Sequence, residues 1–252
     1  FDGFAVAHRA AASVVGVAKY LPAYGGLLMA KEIKALDAVV SAPKHPLVAI
    51  IGGAKMETRL PVMKQLTKTA DAVIVGGGIV TTMLAALGYG IGESLVDTNF
   101  VSEAKKLARQ PNMLLPIDVV VGTRDGQNWR VVEIGPKPHQ LCESGEAIYD
   151  LGPNTIGWFT EILQKPATIV WSGAVGVFEQ RPYNEGTFAL AKALAVATKR
   201  GTFTVAGGGE TLLALDALSL TNKLSFVSTA GGAMLEYLAG RILPGVKILQ
   251  TK

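Results

Sequence analysis

The amino-acid sequence predicts an α/β fold built on a doubly wound parallel sheet with helices on both faces. Two observations lead to this prediction. Short β-branched runs recur along the chain and end in glycine-containing turns, and stretches of helical periodicity lie between them. The alternation of strand, glycine turn and helix is typical of βαβ units, whose strands run parallel.

Five runs have the length and composition of strands that are buried on both faces. In chain order they are Leu47–Ile51, Ala72–Val75, Thr168–Trp171, Thr202–Ala206 and Ser225–Thr229. Helical periodicity predicts six helices between or after them, over Glu57–Ala70, Ile79–Leu87, Thr98–Arg109, Thr155–Gln164, Asn184–Lys199 and Thr211–Leu218. Together these elements predict a Rossmann-like domain of three layers, with ligands at the carboxyl ends of the strands.

Two stretches do not follow this alternation. The first, 112–134, reads as two strands, Leu114–Val121 and Arg130–Ile134, joined by a hairpin-like turn at Thr123–Gly126. The second, Leu21–Val40, begins with a proline and continues as a long amphipathic pattern. We expect it to form one helix that joins two domains.

The composition excludes several classes of protein. The 252 residues are 49% hydrophobic and 17% charged, which argues against intrinsic disorder. The net charge of +4 comes from scattered Lys and Arg residues with no basic run, so we expect no nucleic-acid partner. No apolar run reaches the ~18 residues of a membrane span. The single cysteine, Cys142, fits a reducing, cytoplasmic compartment. The sequence begins at Phe1 without an initiator Met, so we expect it to be a piece of a longer polypeptide.

The glycine-rich turns are the first candidate for chemistry. Glycine lets backbone N–H groups approach an anion, and the helix that follows directs its positive end at the same point. Any one such turn is better explained by a tight strand-to-helix connection, but five at one edge of a sheet favour phosphate binding. The sequence lacks G-x-x-x-x-G-K-[ST], which excludes a P-loop, and a dinucleotide fingerprint is only weakly supported.

Charged side chains accompany these turns. Lys55 follows the first glycine pair, and Arg59 lies four residues later on the same helical face, so both could contact a phosphate or could simply be solvated. Glu210 and Thr211 follow Gly207–Gly209, where they could cap a helix or hold a nucleotide-bound Mg²⁺.

Two further charged residues could contact a ligand. Glu179 could accept a ribose hydroxyl or be a surface acid. Arg9, in the His8-Arg9 pair near the start of the chain, could clamp a carboxylate or phosphate.

The turns, in this order, resemble the phosphoglycerate kinase family across essentially the whole chain. The combination is specific, although each motif alone is not. The motifs that carry the resemblance are Ala7–Ala10, Leu21–Glu32, Gly52–Lys55, Gly76–Gly78, Pro116–Val120, Asp150–Pro153, Val170–Gly173, Gly176–Glu179, Gly207–Gly209 and Ser228–Ala233.

The resemblance implies transfer of a phosphoryl group between 1,3-bisphosphoglycerate and MgADP, giving 3-phosphoglycerate and MgATP. It implies that Lys55 stabilises the phosphoryl group during its transfer and that Gly208 and Gly209 offer backbone donors to it. Arg9 would contact the phosphoglycerate, and Glu210 would be associated with Mg²⁺. The implied nucleotide-binding residues are Gly53, Ala54, Lys55, Arg59, Gly77, Gly78, Ser172, Ala174, Gly176, Val177, Glu179, Gly208, Gly209, Glu210 and Thr211.

The resemblance also implies a domain plan. Residues 1–20 would be a remnant of the phosphoglycerate-binding domain, 21–42 the interdomain helix, 43–240 the nucleotide-binding domain and 241–252 a C-terminal tail. The family resemblance favours a monomer. Because catalysis in this family needs two domains to close, we expect the chain alone to bind nucleotide weakly and not to turn over.

Five residues depart from the family pattern. Arg59 stands where a Lys is usual, Ser172 for Asn, Ala174 for Pro, Glu210 for Asp and Ala230 for Gly. The changes at Ser172, Ala174 and Glu210 keep open a second hypothesis, a non-catalytic module that only holds ADP or ATP. A dinucleotide-dependent oxidoreductase is a third hypothesis.

Overall fold

Six parallel strands form the main sheet of the domain. The computed structural model describes residues 1–249. Its strands are β1 (Leu47–Ile51), β2 (Ala72–Val75), β3 (Met113–Leu114), β4 (Asp118–Gly122), β5 (Trp129–Glu133), β6 (Ala147–Leu151), β7 (Thr168–Ser172), β8 (Phe203–Gly207) and β9 (Phe226–Ser228). The main sheet has the order β3-β2-β1-β7-β8-β9, and every neighbouring pair in it is parallel. The predicted parallel α/β sheet is confirmed.

Helices cover both faces of this sheet. They are α1 (Leu27–Val40), α2 (Met56–Thr69), α3 (Gly77–Leu87), α4 (Val101–Ala108), α5 (Pro153–Ile162), α6 (Glu185–Lys199), α7 (Gly209–Ala217), α8 (Gly232–Leu238) and α9 (Pro244–Lys247). Successive residues of a strand point to opposite faces, so the core has two main clusters, one on each side of the sheet. Leu47, Ala49 and Ile51 of β1 pack with α1 to α4 and α8, whereas Val48 and Ile50 pack with α5, α6 and α7. The three predicted layers are therefore present.

The prediction for residues 112–134 was partly wrong. The expected strand Leu114–Val121 is divided, because Met113–Leu114 pairs with β2 in the main sheet whereas Asp118–Gly122 belongs to a second sheet. Pro116 lies at the break, and a proline has no N–H to donate to a ladder. The second sheet has the antiparallel order β5-β4-β6, and its third strand, β6, was not predicted.

The long helix expected over Leu21–Val40 is shorter in the structure and begins at Leu27. Two glycines precede it, and Gly26 is extended, with its N–H donated to the Phe1 carbonyl at 2.9 Å. The cap comes from far away in the sequence, because Asp2 Oδ1 accepts the Met29 N–H at 2.8 Å. The helix start therefore depends on a contact that local periodicity does not show.

The first residues of the chain pack against α9. Residues 4–6 and 12–19 form short irregular helical turns, and the Ala7 carbonyl accepts the Gly245 N–H of α9 at 2.8 Å. Of the tail expected over 241–252, residues 250–252 lie outside the described residues. Within residues 1–249, no helix combines the length and the apolar character needed to cross a bilayer.

Candidate functional site

A cleft of about 510 Å³ opens at the carboxyl edge of the main sheet. The chain winds outwards in opposite directions from β1 and β7, and the cleft lies over this reversal of strand order. A reversal of this kind is where open α/β sheets bind ligands. The volume is in the ~300–1,000 Å³ range of small-molecule pockets.

The cleft wall includes many of the predicted nucleotide residues. The predicted residues that line it are Gly53, Ala54, Gly77, Gly78, Ala174, Gly176, Val177, Glu179 and Glu210. Lys55, Arg59, Ser172, Gly208, Gly209 and Thr211 are not among its lining residues. Lys55, Gly209 and Thr211 are next in sequence to residues that are. The fold therefore gathers four of the five glycine turns around one opening.

The first three turns are bonded to one another through their backbones. The Gly53 N–H donates to the Ala174 carbonyl at 2.7 Å, and the Gly77 N–H donates to the Val175 carbonyl at 2.9 Å. Gly53 and Gly77 also have positive φ angles, +99° and +63°, which residues with a Cβ rarely adopt. Because their N–H groups are already used inside the protein, these two glycines provide room for a ligand rather than free donors.

The fourth turn carries Glu210 and Thr211 at the start of α7. Thr211 is buried, and its Oγ1 accepts the Gly173 N–H at 2.7 Å, so it ties this turn to the one after β7. Glu210 is exposed, with its Oε2 3.4 Å from the Ala174 N–H. Gly208 has a φ of +102°, which lets the chain turn directly into the helix.

Arg59 crosses from α2 to the end of β7. Its Nη1 donates to Ser172 Oγ at 2.7 Å. A Cβ on Gly53 would lie 3.2 Å from the guanidinium and 3.5 Å from Glu210 Oε2, so the open face of Gly53 lies between a cation and a carboxylate. Burial lowers the pKa of the Arg59 guanidinium, and the negative charge of Glu210 opposes that shift. Lys55, just before α2, is exposed.

The fifth glycine turn and Arg9 do not belong to this cleft. The turn after β9, at the edge of the sheet, faces the first residues of the chain instead: a Cβ on Gly232 would lie 3.5 Å from His8 Nε2. Glu32 of α1 accepts the Thr229 N–H there at 3.2 Å. Arg9 is exposed and is not a lining residue of the cleft. The last of the five turns therefore lies outside this cleft, and its part in phosphate binding stays a prediction.

The second sheet supplies a wall that the sequence did not predict. The side chains of this wall come from β6 and the β4–β5 hairpin. Helix α3 and the loop after it contribute further side chains to the cleft. These additional lining residues are Val80, Thr81, Glu93, Leu95, Arg124, Gly145, Ala147–Leu151, Val175 and Phe178. The apolar run Ala147–Tyr149 before the Asp150–Pro153 motif was the available signal for β6.

The two ends of the cleft differ in chemistry. Arg59 and Glu210 bring opposite charges together at the glycine turns, whereas Tyr149 brings an aromatic ring to the far wall. Tyr149 stacks on Tyr183 with ring centroids 4.6 Å apart, and the Tyr183 hydroxyl donates to the Thr123 carbonyl at 2.7 Å. This arrangement suits a ligand with phosphates at one end and a flat ring at the other.

Comparison with known proteins agrees with this geometry. A sequence model of the family described as phosphoglycerate kinase matches residues 1–241. The phosphoglycerate kinase of Mannheimia succiniciproducens is 42% identical over 252 residues, which is all of this chain and 64% of that protein. The phosphoglycerate kinase of Coxiella burnetii is also 42% identical, over 257 residues, with the same shares covered.

Solved structures show the same similarity. The phosphoglycerate kinase from Coxiella burnetii superposes with a TM-score of 0.88 at 41% identity, covering 98% of this chain and 63% of that one. The phosphoglycerate kinase from Pyrococcus horikoshii OT3 superposes with a TM-score of 0.86 at 31% identity, covering 99% and 62%. The chain therefore spans about 64% of the length of the curated relatives it matches.

Proposed function

This chain belongs to the phosphoglycerate kinase family, and from that membership we propose that it is the nucleotide-binding part of a glycolytic phosphotransferase. The whole enzyme would move a phosphoryl group between 1,3-bisphosphoglycerate and MgADP, giving 3-phosphoglycerate and MgATP. The observation that carries the proposal is the cleft at the β1–β7 switch point, where four glycine turns meet.

In this proposal the phosphates of ADP or ATP lie over the glycine turns. Lys55 is exposed at the start of α2, where its ammonium can approach a phosphoryl group in flight. Gly208 and Gly209 open α7 and bring the positive end of a helix to the same place. Arg59 adds a planar guanidinium that Ser172 orients. Ala174, Gly176, Val177 and Glu179 would line the rest of the nucleotide.

The site also fits a nucleotide-bound Mg²⁺. Glu210 is an exposed carboxylate at the cleft, beside the space that a Cβ on Gly53 would fill. Within residues 1–249 no three His, Cys, Asp or Glu side chains form a metal-binding group, so the protein would contribute little beyond this one carboxylate. That suits Mg²⁺, which is commonly held by one or two carboxylates together with substrate phosphates. When bound, the ion would neutralise phosphate charge.

The rest of the domain plan follows from the same proposal. Residues 1–20, with the exposed Arg9, would belong to the phosphoglycerate side, and α1 would lie at the junction with the nucleotide domain of residues 43–240. Reaction would require the two sides to close on each other. We place the enzyme in the cytoplasm as a monomer.

A non-catalytic ADP- or ATP-binding module is the second candidate. The observation that favours it is the bond between Arg59 and Ser172, because both residues depart from the family pattern and they alter the phosphate end of the cleft together. Assay of the full-length protein for phosphoglycerate-dependent ATP formation distinguishes an enzyme from such a module.

The test of nucleotide binding uses isothermal titration calorimetry on the 252-residue chain. We expect weak binding of MgADP, no binding of NADH, and no ATP formation from 1,3-bisphosphoglycerate and MgADP by the chain alone. Binding of NADH in place of MgADP would overturn the proposed function. Turnover by the isolated chain would contradict only the requirement for domain closure.

A further inference from the structure

A bulge in β6 joins the second sheet to the predicted nucleotide segment. In the pairing of β6 with β4, Val120 is opposite Asp150 and Val121 is opposite Ile148, so Tyr149 is an extra residue. β-bulges bend a strand locally and re-aim its side chains, often beside functional sites. Here the Tyr149 carbonyl accepts the Val177 N–H at 2.9 Å. The bulge therefore fixes one point of the segment Gly176–Val177.

Asp150, the next residue, lies beneath the same segment. It is 2% exposed, and its Oδ2 accepts the Gly186 N–H in the first turn of α6 at 2.8 Å. Its Oδ1 accepts the Leu151 N–H at 2.9 Å. A Cβ on Gly176 or on Gly186 would overlap Asp150 Oδ1, so the carboxylate contacts the backbone of both glycines. One side chain thus joins β6, α6 and the cleft segment.

Some features around Asp150 stabilise its negative charge and others destabilise it. Burial raises the pKa of Asp150 to about 7, and the N–H groups of Gly186 and Leu151 partly offset that rise. Glu185, the first residue of α6, raises the pKa further by its negative charge. Tyr149 and Tyr183 are the titratable groups on the neighbouring strand and loop, and no cation in the described residues pairs with Asp150.

We propose that Asp150 is a positioning residue for Gly176–Val177, and that the ionised carboxylate holds this segment in the shape that binds nucleotide. Both of its hydrogen-bonded neighbours are N–H donors, which an ionised carboxylate accepts. Protonation turns one oxygen into a hydroxyl, which is a weaker acceptor than a carboxylate, so it weakens one of these bonds and loosens the packing of Asp150 between α6 and the segment. The inference rests on the proposed function, since it concerns the same cleft.

The main experiment compares the wild-type chain with Asp150→Asn, which is neutral at every pH. ADP binding in the presence of MgCl₂ is measured by calorimetry from pH 6 to pH 8.5. We expect the two proteins to bind alike at pH 6 and Asp150→Asn to bind roughly ten-fold more weakly at pH 8.5, the factor for about one charged hydrogen bond. Dividing the two dissociation constants removes the titration of ADP itself. A ratio that does not change with pH overturns the proposal.

A matched control alters the charge near Asp150 without touching the cleft. Glu185→Gln removes the negative charge that raises the Asp150 pKa, so we expect the midpoint of the pH dependence to move to lower pH. Glu185 is exposed and lies outside the proposed binding residues. A purely structural role for Asp150 would leave this midpoint unmoved.

A second measurement needs neither nucleotide nor the Asp150→Asn variant. The amide signals of Gly186 and Val177 are followed by ¹⁵N NMR as the pH of the ligand-free chain is changed. Both are expected to titrate together near neutral pH and to shift in Glu185→Gln. Absence of that titration overturns the inference even if ADP binds. Absence of ADP binding with the titration intact indicates instead that the proposed function is wrong.

Discussion

Arg59 and Ser172 form a hydrogen-bonded pair beside the glycine turns. The guanidinium of Arg59 donates to the hydroxyl of Ser172 at 2.7 Å. An arginine carries a rigid fork of donors and needs an acceptor placed for it, which a lysine does not. Ser172 is 1% exposed, so its oxygen is a fixed acceptor. The pair therefore keeps a cation over Gly53 in a defined orientation.

This pairing predicts coupled effects on ADP affinity. Ser172→Ala should weaken ADP binding about ten-fold, because the Arg59 guanidinium loses a hydrogen bond to a fixed acceptor. Arg59→Lys should weaken it by a similar factor, and the double variant should lose much less than the product of the two. Calorimetry of the four proteins measures the coupling. Ser225→Ala, at the opposite edge of the sheet, is the control. Independent, multiplying effects would contradict the pairing.

At the residue scale the sequence predicted part of the cleft. Gly53, Ala54, Gly77, Gly78 and Glu210 line it because glycine turns at the ends of parallel strands must meet at one edge. Asp150, Tyr149 and Arg124 could not be predicted in this way, since they reach the cleft through a second sheet whose pairing has no local signal. The catalytic and binding roles of the named residues stay predictions.

The start of α5 depends on a side chain from another element. Asp118 of β4 is fully buried, and its two oxygens accept the Asn154 and Thr155 N–H groups at 3.0 and 2.7 Å. The Thr155 hydroxyl also donates to Asp118 Oδ1 at 2.6 Å. The free N–H groups of a helix start need such acceptors. Asp118 therefore fastens α5 to the second sheet.

We predict that Asp118→Ala lowers the free energy of unfolding by about 2–3 kcal/mol, because it removes a helix cap and leaves buried N–H groups without acceptors. Urea denaturation measures the change. Asp125→Asn, in the exposed β4–β5 turn, is the control and should leave the unfolding midpoint where it is. An Asp118→Ala protein as stable as wild type would show that the cap is dispensable.

The elements themselves were predictable to different degrees. The strands β1 and β2 agree with the prediction to the residue, because each is an apolar run closed by glycine. Helix α1 was predicted too long because its cap, Asp2, is remote in sequence. Strand β6 was missed because the half-buried Ile148 and Tyr149 give it no continuous buried run. Local patterns therefore sufficed where burial was complete and failed where a distant contact set the boundary.

The stability of the whole molecule should depend on pH through Asp150. Its pKa is raised from an ordinary value near 4 to about 7, so the folded chain holds a proton there that the unfolded chain has already lost. Stability from this group is present below about pH 4 and is lost as the pH rises to about 7, by roughly 4 kcal/mol at most. The negative charge on Asp150 that we propose to support ADP binding therefore destabilises the folded state.

Urea denaturation at pH 5 and pH 8 tests this linkage. From pH 5 to pH 8 the free energy of unfolding of Asp150→Asn should increase by a few kcal/mol relative to that of wild type, because only the wild type loses stability as this carboxyl ionises. The wild-type change alone is insufficient, because burial also raises the pKa of Glu32, and this second carboxyl lowers stability with rising pH in the same direction. A difference that is constant with pH would show that Asp150 keeps an ordinary pKa.

The order of the strands also determines at what stage of protein synthesis the cleft can form. β1 and β7 are adjacent, with Leu47 opposite Thr168, although α2, α3, α4, the second sheet and α5 lie between them in sequence. During synthesis the N-terminal strands emerge first, and their partner across the switch point emerges much later. No ligand of this cleft can assist folding until the chain has been made through Thr211. Until Thr211 has been synthesised, the nascent domain must therefore fold without stabilisation by a ligand of this cleft.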